Sequence, residues 1–184
     1  DCLYQDVTNE TKPGPLGLEL ALLIRELGER ASVATINYDT VIEDALEAIG
    51  VEGTAVDHYH GTLPQFGNVD FDDPRFMVTQ SDYILRGGDV IDHMVDQMNG
   101  CVTILVGMSL SDTNVISARF RTQDEALEAP CFALVVDELS GKVDSPEDQA
   151  VVAELRADQY RDSLGIEIVR LKSYSQVPQA IHEL

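Results

Sequence analysis

The chain has 184 residues, of which 33 are acidic and 12 are basic, so its formal net charge is −21. This length is sufficient for one domain with a hydrophobic core. A surface this negative repels phosphate backbones and anionic lipids, and no apolar stretch approaches the roughly 20 residues that cross a bilayer. The composition therefore argues against nucleic-acid and membrane partners.

The three cysteines are Cys2, Cys101 and Cys131, and no two of them form a C-x-x-C pair. Their spacing therefore lacks the signature of a zinc ribbon. Cys101 and Cys131 each open an apolar run, so we expect both to be buried free thiols in the reducing cytoplasm.

Segments with helical and strand-like patterns alternate along the first half of the chain. In chain order, the expected elements are a helix at 16–30, a strand at 32–37, a helix at 39–49, and strands at 54–60 and 76–79. Gly50 directly follows the second helix and is a plausible stop signal for it.

The second half continues the alternation. The expected elements are a helix at 81–100 interrupted at Gly87-Gly88, a strand at 101–108, a helix at 111–127, a strand at 131–136, a helix at 146–164, a strand at 166–171 and a final helix at 177–184. Ser111 or Asp112 is the expected N-cap of the helix after the strand at 101–108.

Strands separated by helices of this size indicate βαβ units and a parallel sheet with helices on both faces. Ligands of such sheets bind beyond the carboxyl ends of the strands. Three segments follow predicted strands in this way, namely Asn37–Asp39, His60–Gly61 and Gly107–Leu110. We expect them to converge on one crevice.

Four motifs in this order, "TINYD", "HGTLP", "VTQSDYI" and "VGMSLSDTNV", resemble those of the sirtuin-like family in its zinc-free bacterial branch. The resemblance covers roughly Leu16 to Leu184. It implies a single α/β domain over residues 1–184, with a Rossmann-like parallel sheet of the sirtuin and deoxyhypusine-synthase type that binds NAD.

The resemblance also implies roles for individual residues. It makes His60, Asn37 and Asp39 the catalytic residues. The residues expected to line NAD are Thr35, Asn37, Asp39, Gly61, Gly107, Ser109 and Leu110. No zinc ligand is implied.

Two departures separate this chain from the sirtuin deacylases. Those enzymes have a Gln where this chain has Ile36, and they carry four zinc cysteines that have no counterpart here. The resemblance therefore favours the NAD hydrolases of bacterial antiphage defence, which release nicotinamide and ADP-ribose. Protein deacylation is the least favoured activity.

The family opens with a strand and a Gly-rich loop that binds the pyrophosphate at a helix N-terminus. No such segment precedes Leu16, and no G-x-G occurs in the sequence. We therefore expect the chain to be a partial domain. A non-catalytic module that binds NAD or ADP-ribose remains an alternative, and both homo-oligomerisation and fusion to other domains remain open.

The candidate residues also have ordinary structural interpretations. Asn37 and Asp39 are suitable caps for the helix that begins near Thr40, and an isolated His60 is compatible with a loop histidine. His58 lies on the same strand face as His60, but no third ligand accompanies the pair, which argues against zinc.

Overall fold

The computed structural model describes residues 13–63, 76–108, 110–124, 129–136 and 145–184. These residues form a mixed α/β protein in which short parallel strands are flanked by helices. The α-helices are α1 (Pro15–Leu27), α2 (Val41–Ala48), α3 (Gln80–Met98), α4 (Thr113–Asp124), α5 (Pro146–Leu164) and α6 (Val177–His182). The strands are β1 (Val33–Thr35), β2 (Val56–His58), β3 (Thr103–Val106), β4 (Cys131–Val136) and β5 (Ile166–Leu171).

The chain divides into two compact units. The first comprises Asp1–Arg86 together with Pro178–Leu184, and the second comprises Gly87–Val177.

In the first unit, β1 and β2 form a parallel pair with Thr35 opposite His58. Helices α1 and α2 pack on each other through small and branched apolar side chains. Their buried residues are Ala21, Ile24, Ala45 and Leu46. Burial of this apolar surface, rather than the three-residue strands, supplies most of the local stabilisation.

In the second unit, three parallel strands run in the order β3-β4-β5. β4 is the central strand and pairs Cys131 with both Thr103 and Ile166. The apolar core beside it contains Leu110, Cys131, Ala133, Leu164 and Ile166. The nearly continuous apolar sequence of β4 is typical of a strand covered on both faces.

The ends of α4 and α5 follow standard capping chemistry. Asp112 Oδ1 accepts hydrogen bonds from the backbone N–H groups of Asn114 (2.9 Å) and Val115 (3.1 Å), which confirms Asp112 as the cap of α4. Ser145 caps α5 in the same way by accepting from Asp148 N. Gly165 ends α5 in the left-handed conformation, with φ of 59°.

The expected strand at 76–79 is wrong. Thr79 instead begins α3, because its Oγ1 accepts from Asp82 N while Asp82 Oδ2 accepts from Thr79 N at 2.8 Å. This reciprocal pair is a capping box, which places Thr79 at a helix start. The hydrogen bonds from Thr79 lower the pKa of Asp82 below its ordinary value.

The expected interruption at Gly87-Gly88 is also wrong, because α3 continues through both glycines. Each glycine costs about 1 kcal/mol relative to alanine in a helix. Gly87 is buried on the same stripe as Val90, Met94 and Met98, so the packing of that stripe outweighs the intrinsic preference.

Of the two cysteines expected to be buried, only one is. Cys131 is almost inaccessible in β4, whereas Cys101 precedes β3 and is exposed. The strand at 101–108 begins two residues later than its apolar pattern suggests, which leaves Cys101 in the preceding turn.

The strands form two parallel sheets within the described residues, whereas the sequence pattern predicts one sheet. Periodicity identifies strands but does not specify which strands form hydrogen bonds. Among the helices that the structure describes, none combines the length and hydrophobicity of a membrane span.

Candidate functional site

The loop Asn37–Asp39 follows β1 and is shaped by its own side chains and backbone. Thr35 Oγ1 accepts from Asn37 N at 3.0 Å. Asp39 Oδ1 accepts from Val41 N at 3.3 Å, so Asp39 helps to cap α2, which is one of its ordinary interpretations. Asn37 itself is exposed.

The register of β1 and β2 brings Asn37 and His60 to the same sheet edge. Thr35 pairs with His58, and each candidate lies two residues beyond its member of that pair. Since the strands are parallel, both residues follow carboxyl ends, where ligands of parallel sheets bind.

His60 is buried between two tyrosine rings, with only 3% of its surface exposed. Its Nδ1 lies 3.3 Å from the hydroxyl oxygen of Tyr83, and the Tyr83 ring meets the imidazole edge-on at 5.1 Å between centroids. The Tyr38 ring lies at 6.2 Å. These contacts restrict the orientation of the imidazole.

Main-chain hydrogen bonds hold the surroundings of His60 together. Met77 N donates to the carbonyl of His60 at 3.1 Å, and the Tyr38 hydroxyl donates to the carbonyl of Met77. Leu63 N donates to the carbonyl of Tyr38. Tyr38, the fourth residue of the "TINYD" motif, therefore joins the loop after β1 to the segment before α3.

Gly61 lies against Phe76. Its φ is +85°, and a Cβ atom built on it would lie 2.8 Å from Phe76 Cα. A side chain at this position would be strained and would collide with backbone, so both constraints require glycine. The glycine of the His-Gly motif therefore has a steric role here.

A second histidine, His58, forms an ion pair with Glu43. His58 Nε2 lies 2.6 Å from Glu43 Oε1, and His58 Nδ1 lies 3.1 Å from the carbonyl oxygen of Asn37. Burial lowers the pKa of His58, but the hydrogen bond and charge of Glu43, the Asn37 carbonyl and the charge of Asp39 all raise it, and together they hold it above its ordinary value.

Sequence reasoning missed the pairing of Glu43 with His58. It considered His58 only as a metal ligand. The available signal was the position of Glu43 in the first turn of α2, directly after the loop that carries the candidate Asn and Asp.

The other predicted NAD-lining residues belong to the second unit. Gly107 is exposed after β3 with φ of 71°, which suits glycine. Leu110 has φ of 54°, rare for leucine, and its side chain packs in the core of this unit. Ser109 lies outside the described residues. A shared crevice with Asn37 and His60 stays a prediction.

A cavity of about 320 Å³ lies in the first unit, and its lining includes Glu43, Glu47 and Glu52. It is not lined by Asn37, Asp39 or His60. Three carboxylates would repel a pyrophosphate, so we do not assign this cavity to NAD. Within the described part of the chain, no three His, Cys, Asp or Glu side chains form a group that could hold a metal ion.

Comparison with protein-family models gives no match for this chain, and comparison with curated proteins gives none either. Function therefore has to be argued from the residues themselves.

Proposed function

We propose that this protein hydrolyses the bond between nicotinamide and ribose in NAD, giving nicotinamide and ADP-ribose. The observation that supports this most is the common position of Asn37 and His60, each two residues beyond the Thr35–His58 pair of adjacent parallel strands. The proposal includes a sirtuin-like, Rossmann-type fold and a cytoplasmic location.

The reaction requires the protein to stabilise a developing positive charge, to orient a water molecule and to accept a proton. As the C1′–nitrogen bond breaks, its electron pair goes to the pyridinium nitrogen, and the ribose carbon develops oxocarbenium character. The carboxylate of Asp39 would stabilise that positive charge. Water forms the new C1′–oxygen bond, and its proton must pass to a base.

His60 is the proposed base, and the amide of Asn37 is proposed to orient the water. The Tyr83 hydroxyl at 3.3 Å from Nδ1 supports this assignment, because the contact orients the imidazole. Gly107, Ser109 and Leu110 are proposed to line the ribose and phosphates of the same substrate.

The test is to incubate the full-length protein with NAD and to measure the release of nicotinamide by chromatography. Replacing His60 with Ala should lower the rate by about 10²- to 10⁴-fold, the usual contribution of a general base. His93→Ala is the matched control, because His93 is exposed on α3 and should leave the rate unchanged.

Calorimetry with ADP-ribose distinguishes the alternatives. If the protein binds ADP-ribose but releases no nicotinamide, it is a non-catalytic module that binds NAD or ADP-ribose and not a hydrolase. Absence of both release and binding would refute the proposal altogether.

A further inference from the structure

His58 is almost completely enclosed, with 5% of its surface exposed, and both of its ring nitrogens have partners. One partner is the carboxylate of Glu43 on α2, and the other is the backbone carbonyl of Asn37. The imidazole thus bridges helix α2 and the loop after β1.

The identity of these partners constrains the proton count. A carbonyl oxygen only accepts hydrogen bonds, so Nδ1 must carry a proton. An ionised carboxylate also only accepts, so Nε2 must carry one as well. Both contacts are satisfied together by an imidazolium ion paired with Glu43.

The charges around this ion favour it. Glu43 acts on it from α2 and Asp39 from the loop, and both are acidic. Asp44 on α2 adds to the acidic surroundings of Glu43. A charge-assisted pair of this kind is also stronger than a neutral hydrogen bond.

We infer that Glu43 and His58 are positioning residues, in which protonated His58 holds the Asn37 carbonyl and thereby fixes the backbone of the loop Asn37–Asp39. Loss of the proton removes one donor, so His58 can no longer hold Glu43 and the Asn37 carbonyl at the same time, and the loop loses this link to the side chain of Glu43. A role of this loop in catalysis rests on the proposed function, but the bridge formed by Glu43, His58 and the Asn37 carbonyl does not.

The experiment is a pH titration of the full-length protein, labelled with ¹⁵N and followed by NMR without NAD. Below the titration midpoint both ring nitrogens of His58 should show the shifts of a protonated imidazole. The amide resonance of Tyr38, which follows the Asn37 carbonyl, should move with the same midpoint as His58, above the ordinary value of about 6.5.

Two matched variants test the role of the pair. Glu43→Gln should move both midpoints toward lower pH, whereas Glu47→Gln, exposed one turn further along α2, should leave them in place. A neutral Nε2 in the wild type, with the shared proton on Glu43, would overturn the inference. A Tyr38 resonance that does not follow His58 would also overturn it.

The wild-type titration needs no substitution, so a variant that fails to fold does not block the test. Failure of NAD hydrolysis would leave the titration result unchanged, and failure of the titration would leave hydrolysis unchanged. If hydrolysis occurs, its pH profile in Glu43→Gln should shift in the same direction as the NMR midpoint.

Discussion

At the scale of single residues, Gly61 shows how one motif position can have a structural cause. The family resemblance assigns it to NAD, and its neighbours in the structure are the backbone and ring of Phe76. A glycine needed for close approach has the same sequence signature as one needed for a ligand, so the sequence alone could not separate the two.

Replacing Gly61 with Ala should destabilise the protein more than the same change at Gly53. Both glycines have positive φ, 85° and 79°, but a Cβ would have no neighbour within 4 Å at Gly53 and would lie 2.8 Å from Phe76 Cα at Gly61. Overpacking of this kind costs about 1–3 kcal/mol beyond the shared backbone strain. Urea unfolding of both variants measures the difference, and equal losses would show that the contact with Phe76 has no energetic weight.

The two candidate histidines also differ in how well the sequence predicts them. His60 was identified from its position after a strand, which depends on local pattern alone. The partner of His58 is Glu43, 15 residues away, and only the packing of α2 against the strands brings them together. Local periodicity carries no information about such a contact.

At the scale of elements, Arg119 joins α4 to the C-terminal end of α5. It is buried, and its guanidinium donates to the carbonyls of Leu164 (2.8 Å) and Gly165 (3.1 Å). The last carbonyls of a helix have no partner within the helix and carry its negative dipole end. One cation therefore satisfies two acceptors at the point where α5 turns into β5.

Arg119→Met should lower the free energy of unfolding by about 3 kcal/mol, because it removes charged hydrogen bonds to the carbonyls of buried Leu164 and half-buried Gly165. Arg121→Met is the matched control on the same helix. Arg121 pairs with Asp92, but their side chains are 52% and 62% exposed, so this pair should contribute at most about 1 kcal/mol. Denaturant unfolding of both variants tests the contrast, and comparable losses would contradict it.

Element prediction succeeded where the local signal was strong. The bounds of β4, α5 and β5 were predicted correctly, because Pro130 precedes β4, the capping Ser145 and Gly165 flank α5, and β5 begins directly after that glycine. It failed at "FMVT", where a β-rich tetrapeptide contains the capping threonine of α3. It failed again at Gly87-Gly88, where tertiary packing overrides helix propensity.

At the scale of the whole molecule, the excess of acidic residues is the dominant electrostatic feature. The sequence fully determines the formal net charge of −21. Mutual repulsion of like charges opposes a compact state, since folding brings them closer together. Sequence patterns could likewise establish the α/β class, but they could not show that the described strands form two sheets.

Sodium chloride should therefore raise the free energy of unfolding. The screening length falls from about 10 Å at 0.1 M to about 3 Å at 1 M, so most of the gain should come below 1 M. Thermal or urea unfolding at increasing salt measures it, with potassium chloride at equal ionic strength as the control. Unchanged stability, or a difference between the two salts, would show that screening is not the cause.

The burial of Cys131 has a practical consequence. Burial raises the pKa of its thiol despite the opposing charge of Arg119, and alkylating reagents attack the thiolate. Cys101 is exposed to such reagents, whereas Cys131 can react only after the central strand β4 separates from its neighbours. The rate at which Cys131 is alkylated, followed by mass spectrometry, therefore measures how often β4 opens transiently in the native protein.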